Sequence, residues 1–335
     1  MDRSRLVVAL ALVFALLGTI LSIANISVAS TRTGFTSSVD SFLTAGQAGI
    51  AVIEISGVIE DGYGVGGVTG ADRVVEDLDA ALKNPAIRGV ILAINSPGGT
   101  VGATKKIYDK VMEVRRQRPV MAVVTDIAAS GGYYVASAAD KIFVYRGSII
   151  GSIGVIIIRP NVAAFLADHG IRIEALTAGQ YKDASYPFRE LTGEERNMYQ
   201  QILDDSYQQF LEDVRAGRDE DIQTVETWAE GRIFSGEDAR TLQMVDEIGN
   251  MDSAIFEIKS MAKIDPEKEL PLLRPEPDFW QEFMRGAPPF GFHDNPLEQV
   301  GGGFWRRNMH SPVMFLYTGG PGLTAELIRE FGAQE

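Results

Sequence analysis

The sequence contains no cysteine. That excludes disulfides, thiolate metal sites and a cysteine nucleophile, and leaves the redox compartment open. Histidine is almost as scarce, with only His169, His293 and His310 in 335 residues. Positive charge is also thin. Lys and Arg total 31 against 45 acidic residues, for a net charge of −14. This balance argues against a surface that tracks nucleic-acid phosphates. Nine of the basic residues are lysines. Arginine over lysine with excess acid suits a salt-rich habitat, and ordinary composition drift gives the same pattern.

What is present is apolar. Hydrophobic residues make up 45% of the chain, and its length fits one large domain with appendages, or two domains. MDRSR precedes an uncharged run from Leu6 to Ala24, which at about 1.5 Å per residue is long enough to cross a bilayer. Arg3 and Arg5 keep residues 1–5 cytoplasmic under the positive-inside rule. A signal anchor over 6–26 is expected, with the remainder of the chain outside the cell membrane. The rival is a cleaved signal peptide ending near SVAS (27–30), although the apolar run exceeds a usual signal core. The polar, small residues up to 46 read as a juxtamembrane linker.

From residue 47 the pattern becomes that of a folded domain. AVIEISGVI, GVILAINS, PVMAVVTD, KIFVY, IGVIII (153–158) and IRIEALTAG (171–179) read as strands. They alternate with helical segments at 74–83, 101–118, 133–140, 161–170 and 194–218. In the last of these, Tyr199, Leu203, Tyr207, Phe210 and Val214 form one stripe, and Thr192 with Glu195 forms a capping box. Alternating strands and helices imply a layered α/β fold around a mainly parallel sheet. The glycine loop DGYGVGGVTG (61–70) lacks the GK[ST] ending of a phosphate loop and reads as a flexible loop. The domain is expected to end near 263. Residues 264–335 are rich in Pro, Gly and aromatics and have no assignable role.

One stretch carries chemistry. In DIAASGGYY (126–134), Ser130 sits among small residues at the mouth of a Gly-Gly turn, a suitable place for a nucleophile. It would need a base. His169 ends a helix, where histidine more often satisfies a carbonyl or the dipole, and the other two histidines lie in the tail. Lysine can serve when loss of water favours its neutral form. Of the nine, Lys182 stands apart, in a loop of small and aromatic residues (TAGQYKDASYPF).

Together these motifs resemble the signal peptide peptidase A family, peptidase family S49, in its short single-domain form. The match runs through INSPGG (94–99), DIAASGGYYVASAAD (126–140), GSIIGSIGV (147–155), GQYKDASYPFRELTGEE (179–195) and GRIFSGEDARTLQMVDEIG (231–249). The resemblance implies a ClpP/crotonase-type fold and a serine protease with a Ser-Lys dyad. Ser130 would be the nucleophile, Lys182 the general base, and Ser152 a helper that orients the lysine amine. Backbone N–H groups of Gly98 and Gly131 would form the oxyanion hole, with the short helix after Ser130 adding its dipole. No metal or cofactor is implied. The implied substrates are remnant signal peptides and similar apolar peptides at the membrane. The implied assembly is a homo-oligomeric ring, an octamer for this short form. Gln243 and Met244 replace the Gly-Leu pair common before VDEIG, away from the chemistry.

Three rivals remain. A crotonase-type acyl-CoA enzyme would need neither Ser130 nor Lys182, and would want a basic phosphate pocket not found here. A related membrane-bound Ser-Lys protease would cut one specific membrane protein. An inactive membrane-anchored scaffold would keep only the ring.

Overall fold

The computed structural model describes residues 48–64, 67–219 and 225–274, together with the backbone of Met314–Leu316. The expected anchor and linker lie outside the described residues. Among the described residues, no helix is long and apolar enough to cross a membrane.

AVIEISGVI forms two strands, β1 (Gly49–Ser56) and β2 (Val58–Glu60), broken at Gly57. The glycine loop ends in β3 (Val68–Gly70), which leads into α1 (Ala71–Lys83). Next come β4 (Ile87–Ser96), β5 (Gly98–Thr100) and α2 (Val101–Arg115). They are followed by β6 (Val120–Ala129), α3 (Gly131–Ser137), β7 (Lys141–Val144) and β8 (Ile149–Gly151). Then α4 (Ala163–Asp168) and the long α5 (Gly193–Arg218) precede β9 (Ile233–Ser235) and α6 (Gly236–Thr241). β10 (Glu247–Ile248), α7 (Met251–Met261), β11 (Leu272–Leu273) and β12 (Met314–Leu316) follow.

The main sheet runs β10-β7-β6-β4-β1-β11, and every pair along this path is parallel. Strands buried on both faces explain the near-continuous apolar runs in the sequence. The pleat divides them between two cores. Ala51, Ile53, Leu92, Ala122 and Val124 face the helices α1, α2, α3 and α5. Ile50, Val52, Ile91, Met121 and Val123 face α7 through Ala254 and Ile258. The result is a three-layer α/β fold, as the alternation of elements implies. β11 joins the edge of β1 in register Ile50↔Leu272, so the sheet draws on chain beyond Lys263.

A second, small sheet runs β12-β5-β2-β3. Within it β12, from the C-terminal tail, lies antiparallel on β5, with Leu316 opposite Gly98.

α5 begins with the capping box read from the sequence. The Thr192 side chain accepts from Glu195 N–H, and the Glu195 carboxylate accepts from Thr192 N–H. Such a cap is worth about 1 kcal/mol. Phe210 and Val214 of the apolar stripe are buried, while Tyr199, Leu203 and Tyr207 are only half-buried. The N-terminal half of α5 therefore has little of the body against it.

Two expected strands differ. Residues 153–158 hold only a single bridge residue, at Ile156, and the strand of that region is the earlier β8. Residues 171–179 form no strand. Their apolar residues Ile171, Ile173 and Leu176 are exposed, Leu176 by 92%. Alternation alone does not make a strand without a neighbouring edge to bond.

Candidate active site

Ser130 stands where β6 hands over to α3. Its backbone takes φ 52° and ψ −117°, a conformation foreign to a residue with a Cβ. Holding it costs on the order of 1–3 kcal/mol, which the surrounding contacts must offset. They are specific. Ser130 N–H donates to Gly151 O at 2.7 Å, and Ser130 O accepts from Tyr134 N–H at 2.9 Å. The side chain is buried, and its Oγ has no hydrogen-bond partner among the described residues. A hydroxyl held ready in a strained turn, with no structural task, suits a reacting group.

Register brings Ser152 beside it. β6 and β8 are parallel, with Ala129 paired to Gly151. The two serines therefore leave the ends of adjacent strands together. Ser152 also has positive φ, at 52°, and its N–H donates to Arg232 O at 2.6 Å.

The glycine turn closes over the same place. A Cβ on Gly131 would come within 3.1 Å of Gly98 Cα and Gly99 N, and 2.8 Å of Thr104 Oγ1. Only glycine permits this approach of the two backbones. Gly98 itself has φ 106°, where a side chain would be strained. Its N–H is bonded to Ser96 Oγ at 3.1 Å, an arrangement that sequence reasoning missed. An S-P-G-G turn is the available signal, since a serine hydroxyl often accepts from the N–H two residues on.

Lys182 is placed differently. Its side chain is exposed, and its Nζ has no hydrogen-bond or ion-pair partner among the described residues. The structure thus brings Ser130, Ser152, Gly98 and Gly131 together, and does not bond Lys182 to Ser130.

The loop carrying Lys182 is nonetheless held firmly. Asp183 accepts two bonds from Arg189, at 2.9 and 2.7 Å. Arg189 gives two more to Glu195, at 2.7 and 2.6 Å. Arg159 donates to Ala184 O at 3.0 Å and Arg189 O at 2.6 Å. The Arg189 guanidinium, with the Thr192 N–H, holds the Glu195 carboxyl down at about 2. The same guanidinium lowers Asp183, and the two carboxylates push Arg189 up. Sequence spacing showed Glu195 as a helix cap and gave no sign of its second role under the lysine loop.

His169 is occupied with its own helix. Nδ1 lies 2.8 Å from Phe165 O, and the ring packs on Phe165 at 4.3 Å. No group of three or more His, Asp or Glu among the described residues could hold a metal ion.

Comparison with known proteins identifies the family. The model of peptidase family S49 matches residues 112–265. A candidate protease of Synechocystis is 37% identical over 227 residues, covering 68% of this chain and 79% of its own length. A candidate protease of Methanocaldococcus jannaschii is also 37% identical, over 57% of this chain and 61% of its own. A candidate signal peptide peptidase SppA of Enterococcus faecium is 32% identical, over 54% of this chain and 53% of its own. The chain therefore spans between about half and four-fifths of these relatives. The segment that the family model matches includes the Ser130 turn and the lysine loop, and the chain belongs to peptidase family S49.

Proposed function

We propose that the chain is a membrane-anchored serine endopeptidase that uses Ser130 and Lys182 on extended apolar peptides, remnant signal peptides among them. The observation that carries this reading is the partnerless, buried Ser130 hydroxyl in a strained turn against the Gly98–Gly131 contact. The layered sheet is read as a ClpP/crotonase-type fold. The anchor at 6–26 would hold the site close to the outer face of the membrane.

Lys182, neutral, takes the proton of Ser130. Oγ bonds to the peptide carbonyl carbon, and the N–H groups of Gly98 and Gly131 receive the oxyanion. The C–N bond breaks, the lysine returns its proton to the leaving amine, and an ester remains on Ser130. Water, giving its proton to the same lysine, then hydrolyses the ester. Ser152 is assigned to orient the amine.

For this to occur the lysine must reach the serine and lose water. The segment 156–188 that carries it exposes Phe165 by 62%, Leu176 by 92% and Tyr186 by 51%. A patch of this kind on a soluble surface suits burial against another protein. Assembly of copies into a ring, an octamer in this reading, would cover it and close the dyad. The tail supports the substrate class. β5 already accepts an apolar antiparallel strand, Met314–Leu316, beside Gly98, and an extended peptide can add to the same edge.

The test uses the full chain in detergent with a fluorogenic apolar signal-sequence peptide. Cleavage is expected, with loss of at least a thousandfold in kcat for Ser130→Ala and for Lys182→Ala, both folded by circular dichroism. Comparable cleavage by Lys182→Ala would move the base elsewhere. No cleavage by the parent, with intact rings, would favour a scaffold.

A further inference from the structure

The Gly98 N–H is both the assigned oxyanion donor and already spent. It donates to Ser96 Oγ at 3.1 Å, and the same hydroxyl donates to Gly57 O at 2.6 Å. Ser96 is fully buried at the end of β4 and pairs with Ala128, two residues before the nucleophile. Its own carbonyl sits where a Cβ on Gly132 would meet it at 2.5 Å. The hydroxyl thus lies between the oxyanion turn and the nucleophile helix.

We propose that Ser96 is a latch on the oxyanion hole: its hydroxyl holds the Gly98 N–H in the resting enzyme and yields it as a substrate carbonyl gains negative charge. This rests on the protease reading above and on Gly98 as a donor. A serine hydroxyl has one proton and two lone pairs. The proton is committed to Gly57 O, so releasing Gly98 vacates a lone pair and leaves Ser96 still bonded. The buried N–H, in contrast, needs an acceptor at all times. An anionic oxygen is a stronger acceptor than a neutral hydroxyl. The exchange is therefore favoured most at the transition state, where it accelerates the reaction. Gly98, at φ 106°, has the backbone freedom to turn.

The latch also gives the glycine loop a task. Gly57 N–H donates to Asn95 O at 2.9 Å. Thr69, in that loop, binds both main-chain atoms of Ser56, accepting from its N–H at 2.8 Å and donating to its O at 2.7 Å. The position of Thr69 is thereby coupled through Ser56 and Gly57 to Ser96 and to the oxyanion donor.

The deciding measurement is a crystal structure of the full chain in detergent with an apolar peptide aldehyde, which adds to Ser130 as a hemiacetal. The expected result is Gly98 N–H on the hemiacetal oxygen, with Ser96 Oγ more than about 3.5 Å from Gly98 N. An adduct with Gly98 still on Ser96 overturns the latch alone. No adduct on Ser130 overturns the protease reading and the latch with it. In parallel, Ser96→Ala should raise kcat and tighten aldehyde binding, each by roughly three- to tenfold, with KM for the peptide unchanged. A fall in kcat for a folded Ser96→Ala would make the hydroxyl a support for the turn, and the latch fails. If Ser96→Ala does not fold, the wild-type aldehyde complex decides.

Discussion

The two halves of the candidate dyad are held by different physics. On the serine side, backbone packs directly on backbone. Gly131 meets Gly98 and Gly99 with no room for a methyl group, and Ser130 is locked through Gly151 and Tyr134. On the lysine side there is almost no core. The loop is pinned by the chain of charges Asp183–Arg189–Glu195 and by Arg159, while the apolar side chains around it face solvent. Steric packing fixes a geometry that salt and pH barely alter. Ion pairs within reach of water fix one that both can alter. In the proposed dyad the fixed half would define where reaction occurs, and the adjustable half would control whether the base is present.

The sharpest way to break this contrast is at the steric side. Gly131→Ala forces a Cβ to within 3.1 Å of Gly98 Cα. Since a displacement near 1 Å at a reacting group costs about a hundredfold, kcat should fall by at least that much. Steady-state kinetics on the signal-sequence peptide would show it, and an unchanged kcat would mean that the turn is not rigid. Next is the ionic side. Arg189→Lys keeps the charge and loses both forks. We expect kcat/KM to fall roughly tenfold, with the melting temperature within a few degrees of the parent, because the sheet does not depend on the loop. Loss of the whole fold would instead place the clamp in the core.

Acid should separate the lysine loop from the body of the fold, because their carboxyls respond in opposite directions. Glu195 has its folded pKa lowered to about 2 from an ordinary 4.5 by Arg189 and Thr192. Its contribution is complete above about 4.5 and is lost as pH falls toward 2. Asp77, on α1 in the body, is raised to about 6 by burial, against the pull of Arg73. It stays neutral in the fold at pH 4 and is only half-ionised near pH 6, whereas the unfolded carboxyl ionises near 3.8, so stability falls as pH rises from about 4 to about 6. Hydrogen exchange should therefore show the lysine loop loosening below pH 4 while α1 stays protected. Loosening of both together would refute the division. The smallest effect concerns the tail. Deleting residues 311–335 frees β5, and KM for an apolar peptide should fall a few-fold with kcat little changed.

How much of this was legible in the sequence follows the same division. The buried strands were readable because two covered faces demand long apolar runs, and the α5 capping box because its partners are three residues apart. Ser130 and its glycines were readable as a turn with a serine in it. The approach to the lysine loop was not. Ile171, Ile173 and Leu176 alternate like a strand, yet no edge within the described chain receives them. Arg189 carries no local mark of its two carboxylates, because a bridge across a loop depends on three-dimensional closure. Ser96 was missed for a related reason. Its motif is read for the glycines, and the direction of a hydroxyl is not written in a spacing.

β12 carries a quantitative consequence. A strand joined to the same chain that it pairs with is present at an effective concentration set by its tether, of millimolar order for short flexible links and lower for long ones. Any free peptide seeking the β5 edge competes with that concentration. A weak passer-by would be turned away, whereas, under the proposed anchoring, a peptide concentrated by lying in the same membrane would not. The tail strand opposite Gly98 would then work as a threshold, making the enzyme respond to local crowding of apolar peptides more than to their chemistry.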